Sequence, residues 1–264
     1  MAYKLIALDL DNTLLNAKKE VTPENRNALK AAQEKGVHIV LASGRAFPGI
    51  SPLQKELGLA DYTIACGGAQ VIDPWGNVIH STYLPPIGAK QVMRWAAVRD
   101  IHFQVYLDEG IYYLKENKYA DLYRKLCTYG GVANPDIMDM ETVLTSKIIM
   151  VDEEEKVQEY EKELRITFPE FAYPKSQKGF LEVLSPEATK GNALAFIAAK
   201  LGIEPGQVIA MGDNTIDESM VEYAGLGVAM ENATDDLKNI ANFVCGSCEQ
   251  SGVAEVVNKY ILGV

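Results

Sequence analysis

The sequence has little of three things: long apolar runs, clustered positive charge and cysteine. No apolar stretch approaches the roughly 20 residues that a membrane-spanning helix needs. An acidic pair, Asp9 and Asp11, interrupts the region where an export signal needs an unbroken apolar core. The sequence therefore predicts a cytoplasmic protein with no membrane partner.

Positive charge is scarce throughout the chain. The 264 residues include 25 Lys and Arg against 36 Asp and Glu, which gives a formal net charge of −11. Binding to the phosphate backbone of a nucleic acid requires clustered Lys and Arg, and the sequence has no such stripe. We expect no nucleic-acid partner, and any anionic substrate must be held by a few local cations.

The four cysteines are Cys66, Cys127, Cys245 and Cys248, too few for a disulfide scaffold in a chain of this length. Cys245 and Cys248 form a CxxC pair. A redox or metal role needs a helix opening at the pair or a second pair of ligands, and the sequence indicates neither. We interpret the two as loop thiols.

Apolar runs and helical segments alternate at both ends of the chain. The predicted strands share a continuous apolar core and cover residues 3–8, 38–42, 62–66, 208–211 and 227–230. The predicted helices lie between or beside them and cover residues 22–35, 51–58, 190–201 and 219–223. This alternation predicts an α/β fold with a doubly wound, Rossmann-like parallel sheet. Residues 70–81 depart from it and predict a β-hairpin that turns at 74–77.

A second domain interrupts this pattern. Residues 84–185 are bracketed by Pro85-Pro86 and by Ser185-Pro186 and contain a mixture of helical and strand-like segments. We predict an α+β domain inserted into a core made of residues 1–83 and 186–264.

The ends of the predicted core strands are polar. In open α/β sheets the ligand lies beyond the carboxyl ends of the strands. The candidate residues follow strands or open a helix and are Asp9, Asp11, Ser43, Gly44, Arg45, Lys190, Asp213 and Asp217. Carboxylates from separate strands are preferred ligands of Mg²⁺. Ser43 and the amides around Gly44 can bind phosphate oxygens, and Lys190 can neutralise charge on a transferring phosphoryl group.

Four ordered motifs resemble those of the haloacid dehalogenase superfamily of phosphatases: "DLDNTLL", "ASGR", "TKGNAL" and "GDNTIDESM". The large insertion, with "GVAMENA" and "SGVAEVV", is similar to the Cof-type subfamily, whose inserted cap is of the C2 type (subclass IIB). The resemblance covers essentially the whole chain.

The resemblance implies a Mg²⁺-dependent phosphohydrolase with an aspartyl-phosphate intermediate. Asp9 is the implied nucleophile, and Asp11 the acid that protonates the leaving oxygen and then activates water. Ser43 and Lys190 hold the phosphoryl oxygens. The implied metal ligands are Asp9, the backbone carbonyl of Asp11, and Asp213, with Asp217 assisting.

Three positions depart from the family pattern. Asn12 stands where Gly is usual, a mild change because Asn tolerates the left-handed conformation. Gly67 replaces an asparagine expected near the substrate. Ile216 replaces an asparagine expected just before Asp217, which removes a polar group beside the metal.

Each candidate also has a simpler interpretation. Asp9 and Asp11 alone fit a strand-end turn. A calcium loop fails because Leu14 stands where the sharp turn needs Gly. Asp213 and Asp217 are also compatible with a purely structural role as caps of a helix N-terminus. Lys190 is also compatible with an ordinary exposed lysine. Arg45 fits a substrate contact and a structural salt bridge equally well.

We expect a phosphatase of small phosphorylated metabolites, with sugar phosphates as the first class to test. A phosphomutase would share the aspartyl-phosphate step, and a non-catalytic phosphoacceptor would need neither the second aspartate nor a cap. The sequence nominates Lys175, Lys178 and Arg124 of the cap as leaving-group contacts without assigning them.

Overall fold

The computed structural model describes residues 2–127, 129–174 and 178–264. The chain divides into two compact units: unit 1 comprises Met1–Ile79 and Thr189–Val264, and unit 2 comprises His80–Ala188. The predicted insertion, 84–185, falls within unit 2. No helix of the described chain has the length and apolar character needed to cross a membrane.

The strands in chain order are β1 (Leu5–Asp9), β2 (His38–Ala42), β3 (Thr63–Ala65), β4 (Gln70–Ile72), β5 (Val78–Ser81), β6 (His102–Leu107), β7 (Gly110–Tyr113), β8 (Val132–Ala133), β9 (Lys147–Val151), β10 (Phe180–Val183), β11 (Val208–Gly212), β12 (Leu226–Met230) and β13 (Phe243–Cys245). The α-helices are α1 (Pro23–Glu34), α2 (Ser51–Glu56), α3 (Pro86–Ala97), α4 (Lys118–Cys127), α5 (Glu154–Thr167), α6 (Lys190–Leu201), α7 (Glu218–Tyr223), α8 (Asp235–Ile240) and α9 (Gly252–Val257).

The sheet of unit 1 has the strand order β13-β12-β11-β1-β2-β3-β4-β5. The strands from β13 to β3 are parallel, and β4 runs antiparallel to β3. The chain winds outward from β1 through β2 and β3, and later returns on the other side of β1 as β11. Ligands bind in open α/β sheets where the strand order reverses in this way, at the carboxyl ends of the strands. The topology therefore directs attention to the ends of β1 and β11.

Helices of unit 1 begin and end where local chemistry requires. The Thr22 hydroxyl accepts a hydrogen bond from the amide of Asn25 at the start of α1, and Pro23 occupies the first turn, where no amide proton is needed. Helix α6 is capped by Thr189, whose hydroxyl accepts a hydrogen bond from the amide of Asn192, and it is followed by Gly202 in the left-handed conformation. Thr22 and Pro23 thus mark the start of α1 in the sequence as well as in the structure.

One face of the unit 1 sheet packs against α6. The alternate residues Leu5 and Ala7 of β1 share a buried cluster with Leu194 and Ile197 of the helix. Because Cβ atoms alternate across a strand, the register of β1 is fixed by this burial. That register places Asp9 at the end of β1, paired with Ala42 of β2.

Unit 2 contains a second sheet with the order β10-β9-β6-β7-β8. The pairs are antiparallel, apart from the parallel pair of β7 and β8. Apolar residues of one sheet face and of α3 and α5, such as Phe103, Met150, Val92 and Leu164, form a common core. The fold of unit 2 is thus α+β, and the whole chain has the predicted α/β class.

Candidate active site

Four of the predicted residues meet at the ends of β1 and β11. Asp9 is the last residue of β1, and Asp213 follows the last residue of β11. Asp217 ends a short 3₁₀ turn, Thr215–Asp217, and Lys190 is the first residue of α6. Asp9, Asp213, Asp217 and Lys190 are all buried.

Lys190 links two of the three carboxylates. Its Nζ donates to Asp9 Oδ1 and to Asp217 Oδ1, both at 2.6 Å. The ammonium group is fully buried, so the two aspartates are the charges that compensate for its lost hydration. Lys190 is therefore a structural centre of the site, and its interpretation as an exposed surface lysine is wrong.

Asp217 uses its second oxygen to fix the loop that carries Asp213. Asp217 Oδ2 accepts hydrogen bonds from the backbone amides of Asp213 at 3.0 Å and Asn214 at 3.2 Å. A Cβ on Gly212 would lie 2.4 to 2.6 Å from the Asp217 side chain, so only glycine allows this approach. Both oxygens of Asp217 are thus engaged by the protein.

In the described part of the chain, the donors to the Asp213 side chain are neutral. Asn12 Nδ2 lies 3.5 Å from Asp213 Oδ2, and the Thr13 hydroxyl lies 3.5 Å from Oδ1. Asn12 has φ 63°, the left-handed conformation that asparagine tolerates, and its carbonyl accepts from Asn232 at 2.8 Å. These distances are at the limit of hydrogen bonding, so the carboxylate keeps capacity for another partner.

Burial and neighbouring negative charge disfavour the charged forms of Asp9 and Asp213. Burial raises the pKa of Asp9, and the nearby Asp217 raises it further, against the lowering effect of Lys190. Burial and Asp217 likewise raise the pKa of Asp213 to about 6. Burial lowers the pKa of Lys190, but Asp217 and Asp9 raise it by more, so the ammonium form is stabilised.

The three carboxylates suit a divalent cation. One oxygen from each of Asp9, Asp213 and Asp217 lies within 4.8 Å of the others. Asp9 Oδ2 is buried and has no hydrogen-bond partner among the residues that the structure describes, which is costly for a carboxylate oxygen. A hard cation such as Mg²⁺ prefers oxygen ligands of this kind and would allow the carboxylates to stay ionised side by side.

The side chain of Asp11 lies outside this group among the residues that the structure describes. Arg45 donates to it twice, from Nη2 to Oδ1 at 2.6 Å and from Nε to Oδ2 at 3.0 Å. Lys19 Nζ donates to Oδ1 at 2.8 Å. Burial raises the pKa of Asp11, but the hydrogen bonds and charges of Arg45 and Lys19 outweigh it and hold that pKa below its ordinary value.

Ser43, Gly44 and Arg45 follow β2, as predicted. The Ser43 hydroxyl is buried and accepts from the amide of Arg45 at 3.2 Å, while the Ser43 carbonyl accepts from the amide of Gly67 at 2.9 Å. Arg45 forms a salt bridge with Asp11, which agrees with one of the two roles considered for it, the structural salt bridge. The loop after β2 is thus tied to the loop after β3.

Gly68 allows the loop after β3 to lie directly against the start of α6. A Cβ on Gly68, where φ is +106°, would lie 2.1 to 2.6 Å from backbone atoms of Thr189 and Lys190. No side chain fits there without displacing the residue that carries the ammonium group. The sequence assigned no role to Gly68.

The positions that depart from the family pattern lie at the edge of the site. Ile216 is partly exposed, and its amide donates to the Asn214 side chain at 3.0 Å. Gly67 has φ 70° and open space around its Cα. Lys19, Asn12 and Thr13 contact site carboxylates, and none of them was predicted to do so. Lys19 had no sequence signal, because its contact depends on the conformation of a loop.

The sequence also nominated a cysteine pair and three residues of the insertion. Cys245 lies in the edge strand β13 and not in a loop as predicted, and burial raises the pKa of its thiol to about 12, which disfavours the reactive thiolate. Arg124 is engaged by Glu116 and Asp121. Lys178 is exposed. Lys175 lies outside the described residues.

Comparison with known proteins is consistent with this geometry. Residues 6–257 match the family described as haloacid dehalogenase-like hydrolases. The chain is 30% identical to the phosphatase YwpJ of Bacillus subtilis over 98% of this chain and 100% of that protein. It is 31% identical to 5-amino-6-(5-phospho-D-ribitylamino)uracil phosphatase YcsE of the same organism, over 98% of this chain and 96% of that protein.

A solved structure supports the fold. The crystal structure of a haloacid dehalogenase-like hydrolase from Bacteroides thetaiotaomicron superposes with a TM-score of 0.85 at 30% identity, covering 97% of this chain and 99% of that one.

The fold and the buried acidic site define a phosphoric monoester hydrolase. The chain belongs to the haloacid dehalogenase-like hydrolase family. Phosphatases of this superfamily generally use a divalent metal.

Proposed function

We propose that the protein is a Mg²⁺-dependent phosphatase of small phosphorylated metabolites, with sugar phosphates as the first substrates to test. The observation that carries the proposal is the setting of the Asp9 carboxylate: buried Lys190 holds one oxygen, and the other is buried with no partner in the described part of the chain. A nucleophile fixed at one oxygen and available at the other is suited to attack on phosphorus.

The cation would be held by the side chains of Asp9 and Asp213 and by the backbone carbonyl of Asp11. Asp217 assists by holding Lys190 and the Asp213 loop, since both of its oxygens are already bonded. When bound, Mg²⁺ supplies positive charge that stabilises the phosphoryl oxygens in the transition state.

The residues of the chain divide the reaction between them. An oxygen of Asp9 forms a bond to phosphorus while the bond to the leaving oxygen breaks, and Asp11 donates a proton to that oxygen. In the second step Asp11 takes a proton from water, and the oxygen of that water displaces the phosphoryl group from Asp9. Ser43 and Lys190 bind the phosphoryl oxygens, and Arg45 reaches them when it leaves Asp11.

Metal removal tests the proposal. Exhaustive chelation should abolish phosphate release from a panel of phosphorylated metabolites, and added Mg²⁺ should restore it. Mg²⁺ should also raise the midpoint of thermal unfolding of the wild-type protein, because it relieves repulsion among the buried carboxylates. Asp213→Asn serves as the control and should lose most of that shift. Full phosphate release after chelation would contradict the proposal.

A further inference from the structure

Lys19 contacts Asp11, and both residues belong to the loop between β1 and α1. We propose that Lys19 is a positioning residue for Asp11 in phosphate ester hydrolysis. The inference rests on the proposed function, in which Asp11 donates and then accepts the proton. Lys19 Nζ donates only to Oδ1, whereas Arg45 donates to both oxygens.

The loop that carries Lys19 is held by several hydrogen bonds. The Asn16 side-chain oxygen accepts from the amides of Lys18 and Glu20, both at 3.0 Å. The Asn16 carbonyl accepts from the amide of Lys19 at 2.9 Å. The amide of Ala17 donates to Glu249 at 2.8 Å, which connects the loop to a distant part of the chain. These hydrogen bonds position the Lys19 backbone without involving its side chain.

The conformation of Lys19 itself is an unfavourable one. Its φ is 62°, in the left-handed region that non-glycine residues usually avoid. The side chain of Lys19 is 58% exposed and that of Asp11 36% exposed, and an ion pair of this kind adds little stability. A strained residue in a weakly stabilising pair indicates that the contact serves the orientation of Asp11 and not the stability of the fold.

Arg45 and Lys19 have different parts in this arrangement. Arg45 follows Ser43 and is a proposed contact of the phosphoryl group. When its guanidinium turns to the phosphoryl oxygens, Lys19 is the cation that remains on Asp11. Because Lys19 occupies Oδ1, Oδ2 is then the oxygen that carries the proton to the leaving oxygen. The same oxygen receives a proton from water in the second step, so the proton balance is closed.

The consequence is a dependence on the leaving group. An ester with a poor leaving group needs the proton from Asp11, whereas an activated ester does not. We compare phenyl phosphate with 4-nitrophenyl phosphate, which share a ring and differ in leaving ability, and follow release of the phenol in a single turnover with Mg²⁺. Single turnover isolates the first step from hydrolysis of the phosphoenzyme.

Lys19→Met should slow phenol release from phenyl phosphate about tenfold, since a misplaced proton donor loses part of its effect. The same variant should change release from 4-nitrophenyl phosphate less than about twofold, because that step needs little acid assistance. Lys19→Arg should restore the phenyl phosphate rate. Lys18→Met, a change at the neighbouring exposed lysine, should behave as wild type with both esters.

Equal slowing of both esters by Lys19→Met, or no slowing of either, would overturn the assignment. The Asp11→Asn variant separates this failure from failure of the proposed function. If Asp11→Asn also shows no preference between the esters, the role of Asp11 itself is wrong. If Asp11→Asn discriminates and Lys19→Met does not, only the role of Lys19 is wrong.

Discussion

Asp9 and Asp11 are two residues apart in sequence, yet the structure gives them different surroundings. Asp9 is buried against Lys190, and Asp11 is half-exposed between Lys19 and Arg45. Two carboxyl groups with such different environments can take different roles in one reaction. Asp9 is engaged at one oxygen by Lys190, as the proposed nucleophile requires, whereas the ion pairs of Asp11 lower its pKa and must loosen before it can carry a proton.

Asp9→Asn should abolish both turnover and the phosphoenzyme, because an amide is a far poorer nucleophile than a carboxylate. Asp11→Asn keeps the nucleophile and loses a proton carrier, a loss of about 10² to 10⁴ in rate for each proton transfer. With 4-nitrophenyl phosphate and Mg²⁺, Asp11→Asn should therefore phosphorylate Asp9 and then stall. Intact-protein mass, followed by peptide mapping, checks both outcomes.

Steady-state turnover by Asp11→Asn at the wild-type rate would show that the roles of Asp9 and Asp11 are wrongly assigned. So would a phosphoryl group that maps to a residue other than Asp9. The double variant with both asparagines is the control, since it should gain no phosphoryl mass at all.

Some residues of the candidate site can be predicted from the sequence, whereas some of their contacts cannot. Asp9, Ser43 and Asp213 were identifiable because a polar residue directly after an apolar strand has a known position in a parallel sheet. The contact from Lys19 to Asp11 was not identifiable, because it depends on a single left-handed residue in a loop. The engagement of both Asp217 oxygens was equally hidden, since it depends on the path of the loop after β11.

At the scale of elements, the start of α6 is positioned by the loop after β3. Gly68→Ala should lower the free energy of unfolding by about 3 kcal/mol or more, because its Cβ would overlap the backbone of Thr189. It should also reduce phosphatase activity, since Lys190 is the next residue. Urea denaturation and a phosphate-release assay measure the two effects.

Gly67→Ala is the matched control for this variant. Gly67 also has a positive φ, but, apart from its two chain neighbours, no described residue has an atom within 4 Å of an added Cβ. Gly67→Ala should lower the free energy of unfolding only by the backbone strain of an alanine with positive φ, about 1 kcal/mol. Similar losses from the two alanine variants would contradict the inference that Gly68 positions α6.

Most helices and strands of unit 1 were predictable because their signals are local. The bounds 38–42 for β2 and 190–201 for α6 agree with the structure. The edge strand β13 was missed, since Phe243–Cys245 is too short and too polar in its flanks to show a pattern. The strand order was not predicted either, because it depends on contacts between distant segments.

At the scale of the whole molecule, unit 2 contains a buried histidine on its sheet. His102 is 5% exposed, and burial lowers its pKa from 6.5 to about 4. In the unfolded chain this imidazole takes up a proton near pH 6.5, whereas in the folded state it resists protonation until about pH 4. The unfolded state therefore binds more protons between these values, and unit 2 should lose stability as the pH falls through them.

The expected loss in the free energy of unfolding of unit 2 is about 3 kcal/mol between pH 7 and pH 4. Trp95 lies in unit 2 and Trp75 in unit 1, so Trp75→Phe makes tryptophan fluorescence a probe of unit 2 alone. In that background, urea unfolding should depend on pH over this range, and His102→Gln should remove most of the dependence. His80→Gln, a change at a half-buried histidine of β5, is the control and should keep it.

The division of unit 1 into two separate stretches of sequence has a consequence for biosynthesis. β1 lies between β2 and β11, so during translation its edge stays open after β2 has emerged. At typical elongation rates the ribosome needs on the order of 10 s to add the residues from β2 to β11. All of unit 2 is synthesised in that interval, while Asp9 still lacks Lys190. The nascent chain thus carries a central strand with one unpaired edge until late in synthesis, and the proposed catalytic centre is completed only after the fourth motif has left the exit tunnel.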